Sequence, residues 1–321
     1  MIARQPSSEQ ATRPILVTGM HRSGTSWLGV TLAAGGGLTN IGEPLNVLNR
    51  QTILPSCVPL WYTHIHDDNE GNYLPYYEDA IVFKLHPLND VRRMRFGSPR
   101  DPFRVGKRWA SFLVGRLQNR RLLIKDPFAV FSIDWFVRRL NCQVVVVVRH
   151  PLAVISSLKR NDFTFDFSNL RQQPSLMDGP LRDFRSQIDA VLASPDDVVG
   201  NGALLWRIVY EVVAGEVSSE NVVMVRHEDL SREPLDEFSR LFQKLDLQWS
   251  SKVRDAIMAS TNQMNPTELP SRSPFKTRVN SRANLTNWKH RLDDAEVERV
   301  LEITQPTLSR YYPEGLGVVG A

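Results

Sequence analysis

The sequence is poor in cysteine and lacks a long hydrophobic run near its start. Its 321 residues include two cysteines, Cys57 and Cys142, which lie in different kinds of segment. Two distant cysteines do not form a disulfide framework, so we expect a reducing compartment. Residues 1–13 are polar, and the first apolar run, residues 15–18, has the length of one strand. The sequence therefore predicts neither a signal peptide nor a transmembrane segment, and it predicts a cytoplasmic protein.

The chain also lacks a strong charge of either sign. It has 39 basic and 35 acidic side chains and a net charge of +4, which favours small anionic ligands and predicts no nucleic-acid partner. There is no internal repeat and no low-complexity tract. We therefore expect a flexible N-terminus, 1–13, before one domain, 14–321, with insertions near 45–79 and 161–180. Contact with a membrane surface through Arg92, Arg93 and Arg95 stays open, as does the oligomeric state, a dimer included.

A glycine-rich loop after the first strand is the most informative stretch. Gly19-Met20-His21-Arg22-Ser23-Gly24-Thr25-Ser26 connects the apolar run 15–18 to a helix predicted over 26–34. A strand that turns through glycines into a helix directs backbone N–H groups and the positive end of the helix dipole at one point. The sequence thus predicts an anion cradle. Its spacing is that of a Walker A loop, but Thr25 stands where that loop has lysine.

Three further apolar runs end in charged residues. Residues 121–124 lead to Lys125 and Asp126, the valine-rich run 143–148 leads to Arg149, and the run 221–225 leads to Arg226. Such runs alternating with helical patterns predict an α/β protein, a three-layer P-loop-like fold with a central parallel sheet flanked by helices. Ligands gather at the carboxyl ends of such strands, so we expect Lys125 to face the cradle; its alternative is a salt bridge with Asp126.

Other segments are assigned by pattern. Helical periodicity covers 80–96, 107–118 and 152–160, and the arm between Gly37 and the chain reversal at Glu43 is rich in turns. Arg149 and a serine in the helix 152–160, Ser156 or Ser157, are expected to grip one anion. The basic stretch 261–287, with Arg272, Lys276, Arg278 and Arg282, is predicted to be a ligand clamp.

The aromatic segments and histidines have more than one interpretation. Residues 45–79, rich in proline and aromatics, are predicted to form an active-site lid. Phe163, Phe165 and Phe167 either stack on an acceptor sugar or cap the core. His64 and His66, beside two aspartates, suggest a metal cluster, but no third histidine or cysteine follows at a useful spacing, so we predict no metal.

Taken together, these motifs resemble the sulfotransferase family, which transfers a sulfuryl group from 3'-phosphoadenosine-5'-phosphosulfate (PAPS) to a hydroxyl or amine. The stretch Arg22-Ser23-Gly24-Thr25-Ser26-Trp27 resembles the family's 5'-phosphosulfate loop. Arg149 through Ser157 resembles the 3'-phosphate motif, whose spacing selects Ser157. His227-Glu228-Asp229-Leu230 resembles a Tyr-Glu-Asp-Leu stretch, with His227 replacing the tyrosine at the adenine. Ser281-Arg282-Ala283 through Trp288-Lys289 resembles the closing loop, which implies that Ser281 and Arg282 meet the 3'-phosphate.

The resemblance also implies catalytic residues. Lys125-Asp126-Pro127 and Gly42-Glu43 resemble tyrosylprotein sulfotransferases, and Gly42-Glu43-Pro44 also resembles bacterial trehalose sulfotransferases. In both groups the glutamate is the base, so the resemblance implies Glu43 as general base, with Arg22 and Lys125 stabilising the transferred group. PAPS is the implied co-substrate. The acceptor is a saccharide, glycolipid, peptide or small metabolite, and a carbohydrate-type hydroxyl is preferred.

Two other functions remain open from the sequence. A P-loop nucleotide kinase or NTPase shares the strand, loop and helix, but it needs lysine at Thr25 and a magnesium-holding aspartate after a strand. A non-catalytic nucleotide-binding or glycan-binding module would use the aromatic insertion near 161–180 as its contact surface.

Overall fold

The computed structural model describes residues 13–94, 100–216, 220–268 and 278–315. Most of the predicted flexible N-terminus therefore lies outside the described residues. Arg95, Arg272 and Lys276, which were assigned to membrane contact and to the ligand clamp, also lie outside them.

A five-stranded parallel sheet forms the centre of the fold, with the strand order β2-β3-β1-β4-β5. The strands are β1 Ile15–Thr18, β2 Leu38–Ile41, β3 Arg121–Lys125, β4 Gln143–Val148 and β5 Val222–Arg226. β1 lies between β3 and β4, so the glycine-rich loop that follows it leaves from the middle of the sheet.

Helices connect the strands, which is the arrangement that parallel pairing requires. They are α1 Thr25–Ala33, α2 Leu74–Ile81, α3 Pro87–Arg92, α4 Arg100–Leu117, α5 Ile133–Leu140, α6 Pro151–Arg160, α7 Ser168–Arg171, α8 Pro174–Met177, α9 Arg185–Ala193, α10 Val198–Glu216, α11 His227–Arg232, α12 Pro234–Lys244, α13 Ser251–Thr261 and α14 Asp294–Tyr311. Short 3₁₀ turns cover Glu70–Asn72, Pro127–Ser132, Arg182–Phe184, Ala283–Leu285 and Asn287–His290.

Alternating side chains divide the sheet into two buried faces. Leu16, Val144 and Val146 pack against α5, α6, α10 and α14, whereas Val17 and Val145 pack against α1, α12 and α13. Since successive residues of a strand point to opposite faces, an all-apolar strand is buried on both sides. The predicted three-layer α/β fold with a central parallel sheet is therefore confirmed.

The structure corrects two local predictions. The arm predicted to be rich in turns contains β2, a four-residue edge strand paired with β3. The helix predicted over 80–96 is broken: α2 ends at Ile81, Phe83 has a positive φ of 54°, and α3 starts at Pro87. Proline fixes φ and lacks an N–H group, so it begins a helix rather than continuing one.

The segment predicted as a lid contributes to the core. Tyr62 and Tyr77 are fully buried in it. In the insertion near 161–180, Phe165 and Phe167 are buried as well, whereas Phe163 is 38% exposed. Two of the three phenylalanines thus cap the core, and Phe163 is accessible at the surface.

One helix in the described part of the chain is long and apolar enough to cross a membrane. It is α10, in which the window Val198–Gly215 has a mean hydropathy of 1.2. However, 72% of that window is buried inside the protein, and α10 packs against α6 and α14. Its composition is therefore explained by its place in the core.

The buried carboxylate of Asp126 joins the segments that follow β2 and β3. It accepts hydrogen bonds from the backbone N–H of Leu45, at 2.6 Å, and of Phe128, at 2.9 Å. Asp126 therefore holds the chain just after Glu43 against the chain just after Lys125. Burial, the largest influence, raises the pKa of Asp126 to about 7.

This pKa predicts how stability depends on pH. An unfolded aspartate titrates near pH ~3.9, so between about pH 4 and pH 7 the folded protein retains a proton that the unfolded chain has lost. The contribution of Asp126 to the free energy of unfolding should fall by about 1.4 kcal/mol per pH unit as the pH rises through this range. In Asp126→Asn this contribution is absent. Urea unfolding of both proteins from pH 4.5 to 8 tests this, and parallel pH profiles would contradict it.

Candidate active site

The polar residues predicted from strand ends lie along one edge of the sheet. Because all five strands are parallel, their carboxyl ends meet at this edge. The residues at or just after these ends are Glu43 (β2), Lys125 (β3), Gly19 to Gly24 (β1), Arg149 (β4) and His227 (β5).

The loop after β1 has the backbone shape of an anion cradle. Gly19 and Gly24 have φ values of 138° and 106°, which side chains rarely permit. A Cβ at Gly19 would lie 2.4 Å from the carbonyl oxygen of Val147, and one at Gly24 would lie 2.5 Å from Cδ2 of His227. Both glycines are therefore required by close packing as well as by backbone conformation.

α1 begins directly after this loop, with Gly24 as its N-cap. The first backbone N–H groups of a helix have no acceptor within it, so those of Thr25, Ser26 and Trp27 are available to an anion. The Trp27 ring is held by a hydrogen bond from its Nε1 to Ser260 Oγ, at 3.1 Å, and by edge contact with the His227 ring. Thr25, at the Walker lysine position, is buried.

Arg22, Arg149 and Ser157 come together beside the cradle. Arg22 Nε donates to Ser157 Oγ at 3.0 Å, and Arg149 Nη1 donates to the carbonyl oxygen of Arg22 at 3.1 Å. Arg149 is buried, and its Nε has no hydrogen-bond partner among the described residues. Burial lowers the pKa of Arg149 to about 10, so it is charged at neutral pH. A buried charged guanidinium with a free N–H is suited to an anionic ligand.

Of the other two predicted binding segments, 227–230 forms the start of α11, and the closing loop contacts the end of that helix. The buried His227 ring faces Gly24, and burial followed by the charge of Arg149 lowers its pKa well below the usual value. Ser281 Oγ donates to the carbonyl oxygen of Ser231 at 3.0 Å. Arg282 is exposed and donates to the carbonyl oxygen of Arg232 from Nη2, at 2.8 Å. Arg282 therefore contacts the C-terminal end of α11.

Lys125 and Glu43 form an ion pair across the ends of β3 and β2. Lys125 Nζ donates to Glu43 Oε1, while Asn46 Nδ2 donates to Glu43 Oε2 at 2.6 Å. The alternative salt bridge of Lys125 with Asp126 is not formed, because Asp126 binds backbone N–H groups. The side chains of Lys125 and Glu43 are 13% and 25% exposed, so a substrate can approach them.

The histidines near the predicted lid have protein partners. His64 Nδ1 lies 2.9 Å from Ser175 Oγ, and His66 Nδ1 lies 3.6 Å from Asp68 Oδ2. Among the described residues, no group of three or more histidine, cysteine, aspartate or glutamate side chains is arranged to hold a metal ion.

Several residues of this edge have a role that the sequence did not indicate. Glu228 accepts hydrogen bonds from the backbone N–H of His150, at 3.0 Å, and from the hydroxyl of Tyr312, at 2.7 Å, which ties α11 to α6 and to the end of α14. Arg160 and Arg291 lie near Arg22 and contribute to lowering its pKa, after burial. Arg160 follows Ser157 by three residues, a helical spacing that could have identified it.

Several solved structures are similar to this chain. They include the sulfotransferase domain from the curacin biosynthetic pathway, with 16% identity, and the sulfotransferase domain of the Synechococcus PCC 7002 olefin synthase, also with 16% identity. The matches cover 96% and 95% of this chain and 98% of each of those chains. Mouse sulfotransferase SULT7A1 in complex with PAP is 12% identical, over 94% of this chain and 89% of that one. Each TM-score is 0.44.

No curated protein matches the chain significantly. A profile of the sulfotransferase family, however, matches residues 14–251, which include the cradle, both strand-end motifs that follow it and α11. The chain belongs to the sulfotransferase family, the enzymes that use PAPS as sulfuryl donor.

Proposed function

We propose that the protein transfers a sulfuryl group from PAPS to an acceptor hydroxyl, with Glu43 as general base. The observation that carries this proposal is the ion pair of Glu43 with Lys125 at the ends of β2 and β3, of which β3 lies next to β1. It unites a proton acceptor and a cation at the edge where the cradle offers backbone N–H groups.

The reaction is an in-line displacement at sulfur. The acceptor oxygen forms a bond to sulfur, the bond from sulfur to the bridging phosphate oxygen breaks, and the hydroxyl proton passes to Glu43. The products are a sulfate ester and 3'-phosphoadenosine 5'-phosphate (PAP). A carboxylate oxygen accepts more than one hydrogen bond, so Glu43 can bind the hydroxyl while it remains paired with Lys125.

Negative charge that develops on the leaving phosphate needs stabilisation by nearby donors. By analogy with phosphoryl transfer, positioned cations and N–H groups carry most of the catalysis. Lys125, Arg22 and the amides of Thr25 and Ser26 would supply them. At the other end of the nucleotide, Arg149 and Ser157 would hold the 3'-phosphate, and Ser281 and Arg282 would approach it from the closing loop. We propose no metal.

For the acceptor we propose a carbohydrate or glycolipid hydroxyl. Aromatic rings next to the cradle support this. The ring centroids of Phe163 and His21 are 5.0 Å apart, and those of the half-buried Trp61 and of Phe128 are 4.3 Å apart. Aromatic faces are suited to the apolar faces of sugars.

A screen for transfer of radiolabelled sulfate from PAPS to saccharides, glycolipids, tyrosine peptides and small hydroxyl compounds tests both the activity and the acceptor class. A cytoplasmic location remains a prediction.

Replacement of the base should separate binding from turnover. In Glu43→Gln the carboxamide cannot take the hydroxyl proton, so we expect kcat for the best acceptor in the screen to fall by about 10²- to 10⁴-fold. The dissociation constant for PAP, measured by calorimetry, should change little. Glu237→Gln, which alters a glutamate paired with Arg240 on α12, is the matched control. A Glu43→Gln enzyme with normal turnover would remove Glu43 from the role of base.

Replacement of Arg149 should affect the 3'-phosphate specifically. Loss of hydrogen bonds from a charged group costs about 1.5–3 kcal/mol, so Arg149→Met should weaken PAP binding by about 10- to 100-fold. Binding of adenosine 5'-phosphate, which has no 3'-phosphate, should weaken much less. Arg138→Met, at an exposed arginine paired with Asp134, is the control. Equal losses for both nucleotides would contradict the assignment.

A further inference from the structure

Glu268 places a carboxylate between two arginines at the edge of the candidate active site. Its Oε1 accepts from Arg291 Nη2 at 2.5 Å, and its Oε2 lies 3.1 Å from Arg160 Nη2. Each carboxylate oxygen therefore has an arginine of its own. The side chain of Arg291 is 13% exposed and that of Arg160 is 28% exposed, so both guanidinium groups are largely shielded from water.

Both arginines adjoin the residues assigned to the 3'-phosphate. Arg160 lies one helical turn after Ser157 on α6, and residues at this spacing share a helix face. That face contacts the cradle, because Arg22 Nε donates to Ser157 Oγ. Arg291 follows the turn Asn287–His290, which packs against α6. Arg291 is also close enough to contribute to lowering the pKa of Arg149.

The arrangement gives more positive charge than one carboxylate balances. Arg160 and Arg291 act on Arg22, and Arg22 and Arg291 act on Arg149. Against these four cations stand Glu268, which pairs with Arg160 and Arg291, and Glu228, which acts on Arg149. A hydrogen bond from Arg291 lowers the pKa of Glu268, so the carboxylate is ionised at neutral pH. A phosphate offers oxygens in similar positions and a larger negative charge, and arginine forks bind both groups well.

We propose that Arg160 and Arg291 form part of the 3'-phosphate site and that Glu268 occupies their guanidinium groups until the nucleotide binds. This inference rests on the proposed function, since it assumes a 3'-phosphorylated nucleotide. Glu268 then competes with the 3'-phosphate, so it lowers the affinity for nucleotides that carry this phosphate and leaves the affinity for nucleotides without it unchanged.

The experiment compares two nucleotides on variants of the full chain. Exposed or partly exposed ion pairs contribute about 0.2–1 kcal/mol, so Glu268→Gln should tighten PAP binding by about two- to fivefold in calorimetry. Adenosine 5'-phosphate should bind with unchanged affinity. Glu237→Gln makes the same change in net charge at a pair within α12 and should affect neither nucleotide. Arg291→Met should weaken PAP binding, and adding Glu268→Gln to it should restore less than Glu268→Gln gains alone.

The outcomes separate this inference from the proposed function. If the unmodified protein does not bind PAP, the proposed function is overturned. If it binds PAP but Glu268→Gln binds it equally or more weakly, Glu268 does not compete with phosphate and the inference alone is overturned. Equal tightening of PAP and adenosine 5'-phosphate would also overturn it, because the competition would not involve the 3'-phosphate. If Glu268→Gln lowers the KM for an anionic acceptor and leaves PAP affinity unchanged, Arg160 and Arg291 bind the acceptor, and the inference is overturned.

Discussion

Cations crowded at one edge of a sheet repel one another, and the protein balances them with its own carboxylates. Two like charges 4 Å apart interact by about 4 kcal/mol at an effective dielectric constant near 20, a cost large enough to disturb a fold of ordinary stability. Lys125 is paired with Glu43, and Arg160 and Arg291 are paired with Glu268. These pairs offset part of the repulsion at this edge, and under the proposals above each of them affects how a ligand binds.

The buried carboxylate of Glu228, which acts on Arg149, has a different task. Glu228 is fully buried, and burial raises its pKa, while the His150 N–H group and the Tyr312 hydroxyl donate to it. Its charge helps to keep Arg149 protonated despite burial, and its hydrogen bonds fix the turn into α6. The contacts of Glu228 in α11 with His150, after β4, and with Tyr312, after α14, thus position the start of α6 and with it Ser157.

Much of this edge could be predicted because each motif follows its own strand. The glycine loop, Lys125 and Arg149 adjoin apolar runs whose β-branched residues indicate buried strands, and parallel strands bring their ends together. β2 was missed because Leu38-Thr39-Asn40-Ile41 is short and half polar, as an edge strand can be. The pairing of Arg291 with Glu268 has no local signal at all, since it depends on how a 3₁₀ turn packs against α6.

The ion pair of Glu43 with Lys125 is held more firmly by the fold than the contacts of Glu268 with its two arginines. A Cβ at Gly29 of α1 would lie 2.9 Å from Cγ of Lys125, so the lysine stem is packed tightly against the helix that follows the cradle. Asp126 holds the chain that follows Glu43 and the chain that follows Lys125, and Asn46 donates to the second oxygen of Glu43. Glu268 has no comparable support in the described contacts beyond its arginines, and its side chain is 39% exposed. Under the proposals above, a phosphate would therefore replace Glu268 at little structural cost, whereas Glu43 would stay in place as the proposed base.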